Sequence, residues 1–272
     1  MKYAFIALLL TVLCFGQDTG PAASTDPGSS SQAIPVDQAN QQKAKAVLNQ
    51  AIQALGGDAY LHWTDMSSEG RSYSFHHGQP NSAGLLFWRF RKFPDKDRIE
   101  LTKKRDWVQI YNGDKGYEIT FKGVRNVDPK DELTPYLRRR HYSLDIVLRQ
   151  WLNQPGIALF YEGQTIAAQK EADQVTIMNN KNEGVTLYLD INTHLPIKKT
   201  FSWRDPMDKQ RNVEDEIFDN YRPIQGIMTP FDTTRLFNGE MAGQAFLVDA
   251  KYNQNFPDSF FDPASVKPGK KN

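Results

Sequence analysis

The sequence predicts a mainly β protein of the α+β type, an incomplete antiparallel β-barrel with helices plugging its concave face. Three observations predict this fold class. Long stretches alternate apolar and polar residues with period two, short turns rich in Gly, Asn, Asp or Pro separate most of them, and only two segments carry a helical period. A strongly twisted sheet of this width cannot stay flat and needs cover on its concave face. Helices that are apolar on one side supply that cover.

The first predicted element is a helix that ends at Gly56-Gly57, a pair typical of helix termini. Its apolar residues recur at the spacing of one helix face. They are Ala44, Val47, Leu48, Ala51, Ile52 and Leu55. A helix with a single apolar stripe must lie against another element, so we expect it to pack on the sheet.

Four strands are predicted next, in the segments LLFWRF, RIEL, WVQIY and YEITF. Residues 81–84 form the loop before the first of these strands, and the turn sequence NGDKG at residues 112–116 joins the last two. Turns this short connect antiparallel neighbours.

A second helical region is predicted over residues 129–154, with a start or a kink at Pro135. One of its faces carries Leu137, His141, Leu144, Val147, Leu148, Trp151 and Leu152. Six more strands follow, in the segments QVTIMNN, GVTLYLD, IKKTFSW, VEDEIFD, TPFDTTRLF and QAFLVDAKYN. The expected total is about ten strands and two helical regions.

The first residues predict export. Lys2 precedes an apolar run over residues 4–15 that is too short to span a bilayer and is followed by polar residues, which is typical of a secretory signal peptide over residues 1–16. We expect cleavage after Gly16 and a periplasmic location. Lipid modification of Cys14 is disfavoured, because Leu13 stands where such sites prefer a small side chain.

The remaining chain is predicted to form one domain over residues 38–266. A Ser-, Pro- and Gly-rich segment, residues 17–37, has too little apolar surface to fold and is predicted to be a disordered linker, as is the polar tail 267–272. Cleavage of the signal removes Lys2 and the single cysteine and leaves 32 basic and 32 acidic residues. This neutrality disfavours nucleic acid as a partner, and no further stretch has the length of an integral membrane helix.

The last third of the chain resembles the outer-membrane lipoprotein-sorting proteins, the LolA-like periplasmic carriers. The matching features lie at the ends of strands and in the turns between them. They are Leu195-Pro196 before a strand, the pattern Y-x-x-x-x-G-I-x-x-P, and an Asn followed by Asp-x-x-Phe near the end of the chain. The residues of the last two are Tyr221, Gly226, Ile227, Pro230, Asn253, Asp258 and Phe261. The resemblance implies an incomplete barrel around a hydrophobic cavity that holds acyl chains. It assigns no functional residue to a position here.

No enzyme or cofactor site is predicted, because the sequence contains no G-x-S-x-G elbow, H-E-x-x-H motif or P-loop. His76-His77 could suggest a metal, but neighbouring residues of an extended chain point to opposite faces and no third ligand has matching spacing. We interpret this pair as loop histidines. His141 is expected to be a core histidine hydrogen-bonded to a backbone carbonyl.

Two charged clusters are interpreted as solvated surface. Glu214 and Glu216 lie on one side of a strand, and cross-strand ion pairs with Lys198, Lys199 and Arg204 account for them. A run of three arginines, residues 138–140, near the basic residues 103–105, fans out over most of a helix. The alternative for this second cluster is a contact with anionic headgroups or an acidic partner.

The leading functional hypothesis is a non-enzymatic periplasmic carrier that binds lipid or lipoprotein acyl chains in an apolar cavity. The predicted lining is Leu86, Trp88, Phe90, Ile99, Leu101, Ile119 and Phe121 from the strands, with Val147 and Trp151 from the helical plug. An envelope scaffold with a filled barrel, which binds another protein, is the alternative. A hydrolase is third, and a buried carboxylate with a strongly perturbed pKa in a cleft would favour it.

Overall fold

The computed structural model describes residues 36–267, so the predicted signal peptide, Cys14 and nearly all of the predicted linker lie outside it. Fourteen strands are present in this part of the chain: β1 Asp65–His76, β2 Gln79–Pro80, β3 Leu85–Lys92, β4 Lys96–Leu101, β5 Trp107–Asn112, β6 Lys115–Thr120, β7 Gly123–Asn126, β8 Ala158–Ala167, β9 Lys170–Met178, β10 Gly184–Asp190, β11 Pro196–Arg204, β12 Arg211–Ile224, β13 Ile227–Phe237 and β14 Glu240–Tyr252. The α-helices are α1 Val36–Leu55, α2 Asp58–His62, α3 Thr134–His141 and α4 Leu144–Arg149. Single turns of π- or 3₁₀-helix cover Pro129–Leu133, Trp151–Asn153, Asp258–Phe261 and Pro263–Ser265.

All strands belong to one antiparallel sheet with the order β7-β6-β5-β4-β3-β1-β14-β13-β12-β11-β10-β9-β8, and β2 pairs only with β1. The two edge strands, β7 and β8, do not pair with each other, so the barrel is open as predicted. The ten predicted strands are confirmed, and β1, β2, β7 and β8 were missed. The Ser-rich sequence of β1 carries too few apolar residues to show alternation.

Helix α1 packs against the sheet through the predicted stripe. All six residues of that stripe are buried. The helix ends at Leu55 because Gly56 and Gly57 both take positive φ, and a Cβ on Gly56 would collide with the Gly226 carbonyl oxygen. The predicted position and face of this helix are confirmed.

Asn40 of α1 binds the backbone of the edge strand β8. Its Nδ2 donates to the Tyr161 carbonyl at 2.8 Å, and its Oδ1 accepts from the Tyr161 N–H at 2.9 Å. Together these two bonds take the place of the backbone hydrogen bonds that a neighbouring strand would make with Tyr161. An open edge is a template for pairing with other chains, so the helix protects it.

The chain between β7 and β8 crosses the sheet from one edge to the other. The sequence predicted one helical stretch over residues 129–154, but the structure has two α-helices that break at Tyr142. Ser143 begins α4 by accepting a hydrogen bond from the Ile146 N–H. The break places the ring of Tyr142 flat on Phe201 of β11, with 4.3 Å between ring centroids. Within residues 36–267, no helix is long and apolar enough to span a bilayer.

The segment after β14 covers the outer face of the sheet, the face opposite α3 and α4. Phe256 and Phe260 make edge-to-face contacts with Phe90 of β3 at 5.5 and 5.1 Å. Asp258 pairs with Lys92 at 2.6 Å and with Lys96 at 2.8 Å. These ionic hydrogen bonds lower the pKa of the Asp258 carboxyl to about 2.

We expect Asn40→Ala to lower the free energy of unfolding by about 1 to 3 kcal/mol, because two backbone groups of β8 lose their partner. Urea denaturation checks this value. The control is Gln41→Ala, one residue along on the exposed surface of the same helix, with an expected change within about 0.5 kcal/mol. Equal unfolding midpoints for the two variants would show that the Asn40 bonds do not stabilise the edge.

We expect Asp258→Asn to reduce the acid sensitivity of the fold. A folded pKa below the unfolded value of 3.8 stabilises the protein above that pH, and the stabilisation is lost as the pH falls towards about 2. The melting temperature of the parent protein should therefore drop more steeply between pH 4 and pH 2 than that of the variant. The control is Asp114→Asn, in the exposed turn between β5 and β6, which should keep the parental slope.

Candidate functional site

The sheet curls around a cavity of about 650 Å³, which α2, α3 and α4 cover. Side chains from β4 on one side and from β11 on the other line the same space, which shows how far the sheet is bent. The residues on its wall divide into three regions: a floor of small side chains, an apolar end and a charged side.

The floor of the cavity is made of small side chains on the two central strands. Ser68 and Ser72 of β1 and Ala242, Gly243 and Ala245 of β14 line it. Ser72 and Ala245 are direct cross-strand partners. Because none of these residues reaches far from the sheet, the space beneath the crossing helices is left unfilled.

The apolar end of the cavity lies where α2 meets the sheet. Trp63, Met66, Phe93, Ile227 and Tyr252 line it. The Trp63 ring lies 5.7 Å from the rings of both Phe93 and Tyr252, so the aromatic side chains form a continuous wall. This region offers aromatic and aliphatic surface to a ligand, and the ion pair of Arg91 with Asp145, at 2.9 Å, borders it.

One part of the charged side is an ion pair between β3 and β4 in which the carboxylate of Asp97 is buried. Arg89 binds Asp97 through two nitrogen atoms, and its Nη2 lies 2.6 Å from Oδ2. The hydroxyl of Tyr136 on α3 donates to the same carboxylate at 3.0 Å. Burial and then the Asp97 charge raise the pKa of Tyr136 well above its ordinary value. Tyr136 therefore remains a hydrogen-bond donor at any physiological pH.

The second part of the charged side lies on β11 and β12. Lys199, only 2% exposed, binds Glu216 at 2.6 Å, and Lys198 binds Asp215 at 3.1 Å on the opposite face of these strands. The predicted cross-strand ion pairs with these two lysines are confirmed, but the predicted solvated face is wrong for Glu214 and Glu216. Both carboxylates line the cavity, because the odd-numbered residues of β11 and the even-numbered residues of β12 face inwards.

Glu214 is 4% exposed, and no hydrogen bond or ion pair holds its carboxylate in the described part of the chain. Burial raises the pKa of Glu214, and the positive charges of Arg139 and Arg235 oppose that rise only in part. For Glu216, burial acts in the same direction, but the Lys199 contact and the charges of Arg235 and Arg89 together outweigh it and lower the pKa. Two neighbouring inward carboxylates thus differ in their affinity for a proton.

The arginine run 138–140 is also not the solvated surface that was predicted. Arg138 lies over the Trp203 ring at 3.6 Å, and Arg140 donates to the Asp95 carbonyl at 3.0 Å. Arg139 lines the cavity. All three are partly buried.

The predicted lining residues do not border this cavity. Its wall contains none of Leu86, Trp88, Phe90, Ile99, Leu101, Ile119, Phe121, Val147 and Trp151. On β3 the inward residues are Leu85, Phe87, Arg89 and Arg91, one position out of register with the prediction. The lining of the cavity is therefore reassigned to the opposite face of β3.

The nine predicted residues are placed in four different surroundings. Leu86, Trp88, Phe90 and Ile119 face outwards; Trp88 donates to Glu69 at 2.8 Å, and Ile119 packs with Val108 and Ile110. Ile99 and Leu101 pair with Arg89 and Phe87 but lie beyond the cavity. Phe121 is 52% exposed. Val147 and Trp151 are buried in the main core.

His76 and His77 lie at the end of β1 and in the turn before β2, and among residues 36–267 no three His, Cys, Asp or Glu side chains cluster as ligands. His141 differs from the expectation: its Nε2 lies 2.9 Å from the Glu183 carboxylate, not from a carbonyl, and its side chain is 41% exposed.

Sequence reasoning missed Arg139 and Arg235 as inward residues. The signal for Arg235 was present: it shares one face of its strand with Ile227 and Phe231, which are apolar and buried. A charge on an otherwise buried face indicates a special environment.

The chain matches no protein-family model and no curated protein sequence. It is similar in structure to a DUF1329 family protein from Desulfovibrio piger, with a TM-score of 0.59 and 13% identity. A domain described as an outer membrane lipoprotein-sorting protein from Vibrio parahaemolyticus gives 0.56 and 10%, and a LolA superfamily protein from Nitrosomonas europaea gives 0.51 and 11%. Each similarity covers 82% of this chain and 98% or 99% of the other. The predicted LolA-like open-barrel fold is confirmed.

We expect Lys199 and Glu216 to be energetically coupled. Glu216→Gln leaves a buried ammonium group without its partner and should cost about 3 kcal/mol of unfolding free energy. The double variant Lys199→Met/Glu216→Gln should recover part of this loss, with an interaction energy of about 1 to 3 kcal/mol in urea denaturation.

The matched control is the exposed pair Lys170 and Asp219, 3.4 Å apart. The double-mutant cycle of Lys170→Met and Asp219→Asn should give an interaction energy below about 1 kcal/mol. Coupling of the Lys199 pair no stronger than that of this control would contradict a buried ion pair in the cavity wall.

Proposed function

We propose that this protein is a periplasmic carrier that shields the acyl chain of a lipid or lipoprotein in its cavity, for transport or sorting towards the outer membrane. The observation that carries the proposal is the cavity of about 650 Å³ with its floor of small side chains and its apolar end. Its volume lies within the range of about 300–1,000 Å³ typical of ligand sites. Binding by burial requires no covalent step.

The fold comparisons support the same class of function. One structural neighbour is described as an outer membrane lipoprotein-sorting protein and another belongs to the LolA superfamily. The alternative of an envelope scaffold requires a filled interior, and the cavity favours the carrier over it.

Glu214 favours a second candidate, a hydrolase that uses the paired carboxylates. Its pKa is raised by burial, whereas that of the neighbouring Glu216 is lowered, and such divergence is typical of acid–base pairs. Release of nitrophenol from nitrophenyl acyl esters, abolished in Glu214→Gln, would establish this activity. No release by the parent protein would leave the carrier as the remaining candidate of the two.

Native mass spectrometry of the protein purified from its own envelope fraction tests the carrier directly. We expect a co-purifying lipid or lipoprotein. Affinity for saturated chains should rise about fourfold for each added methylene, because each buried CH₂ contributes about 0.8 kcal/mol, until the cavity is full. The absence of a co-purifying lipid, together with no binding of a fluorescent fatty acid, would refute the carrier.

We expect Ala245→Trp to abolish binding of a fluorescent fatty acid, because the indole ring would occupy the floor of the cavity. Fluorescence titration measures the change. The control is Val248→Trp on the same strand, a residue that is 68% exposed and outside the cavity wall, and it should bind like the parent. Undiminished binding by a folded Ala245→Trp variant would place the ligand outside the cavity.

A further inference from the structure

We propose that the ligand of the cavity carries an acidic head group, a carboxylate or a phosphate, and that Arg139 and Arg235 bind it. This inference rests on the proposed carrier function and names the class of its cargo. The arginines line the same cavity as the apolar end described above, so a single amphiphile can occupy both.

Arg139 is the one arginine of its run that projects into the cavity without a protein partner. Its neighbours are engaged elsewhere: the Arg138 guanidinium lies on Trp203, and Arg140 is bonded to the Asp95 carbonyl. In the part of the chain that the structure describes, Arg139 donates no hydrogen bond and has no carboxylate within 4.0 Å. Its hydrogen-bond donors are therefore available to a ligand.

Arg235 approaches the same space from the sheet. It pairs in register with Gly243 on one side and with Glu216 on the other. Gly243 has no side chain, and a Cβ there would lie 3.5 Å from the Arg235 Nη2. Glu216 is held by Lys199 at 2.6 Å. Over residues 36–267, Arg235 likewise has no hydrogen-bonded acceptor or ion-pair partner.

The two guanidinium groups are close enough to influence each other. Burial and then the positive charge of Arg235 lower the pKa of Arg139. Glu214 also lines the cavity and its charge acts on Arg139, but in the described part of the chain it forms no ion pair within 4.0 Å with either arginine. Two partly desolvated cations without acceptors are costly, and an anion between them would remove that cost.

The geometry of arginine specifies the chemistry of the head group. A guanidinium fork presents paired N–H donors that match the oxygens of a carboxylate or phosphate. With the head at Arg139 and Arg235, the hydrocarbon tail would extend over the Ala245 floor towards Trp63 and Ile227. Charged and apolar regions of the cavity are thus used by one molecule.

The experiment compares three ligands with the same sixteen-carbon tail: palmitate, monohexadecyl phosphate and uncharged hexadecanol. Each displaces a neutral fluorescent probe from the parent protein, from Arg139→Gln, from Arg235→Gln and from the double variant. Arg71→Gln is the control, because Arg71 is exposed on β1 and absent from the cavity wall. Arg139→Lys and Arg235→Lys retain the charge without the fork, and thermal melting of every variant verifies folding.

We expect each glutamine variant to bind one or both acidic ligands about ten- to hundredfold more weakly, because it loses a charge-assisted hydrogen bond to the head group. Hexadecanol should bind all variants equally, and the lysine variants should show intermediate affinity for the acids. If the variants weaken only the binding of palmitate, the cargo is a fatty carboxylate. If they weaken only the binding of monohexadecyl phosphate, the cargo carries a phosphate head group.

Equal binding of acid and alcohol to the parent protein would overturn the head-group site and leave the carrier function intact. Equal weakening of all three ligands in the glutamine variants would do the same. Failure of the parent to bind the probe or any of the three ligands would instead refute the carrier function itself.

Discussion

A chain that leaves a sheet at one edge and returns at the other must cross one of its faces. Here β7 and β8 are the two edges, and residues 127–157 make that crossing. The crossing segment forms α3 and α4, which turn one face of a bent sheet into an enclosed space. The cover, the cavity and the inward position of Arg139 all depend on this connection. The opposite face is closed separately by the aromatic residues that follow β14.

The cavity remains open because the middle parts of the two central strands contribute little side-chain volume to it. In an ordinary sheet of this kind, large apolar side chains on β1 and β14 would meet the covering helices and fill the interior. Serine, alanine and glycine stand there instead. The main core lies elsewhere and includes α1, α4, strands β9 to β11 and β13, the start of β1 and the end of β14.

Features determined by local periodicity could be predicted from the sequence, and features determined by distant contacts could not. The stripe of α1 and its glycine stop were predicted residue by residue, since both are local. On β3 the alternation was visible, but the more apolar face, with Trp88 and Phe90, was assigned to the interior. On that face Phe90 is instead covered by Phe256 and Phe260, more than 160 positions away in the sequence. The charge of Arg89 on the other face is paired with Asp97. Hydrophobicity alone cannot orient a strand that is covered on both sides.

The connection between the two edge strands also limits how far apart they can lie. Its ends are joined to β7 and β8, so the distance between these strands cannot exceed the length of the connecting segment. A helical residue advances about 1.5 Å and an extended one about 3.3 Å. The residues of α3 and α4 therefore span less than half the length that they would span in extended form, which shortens the connection between the two edges.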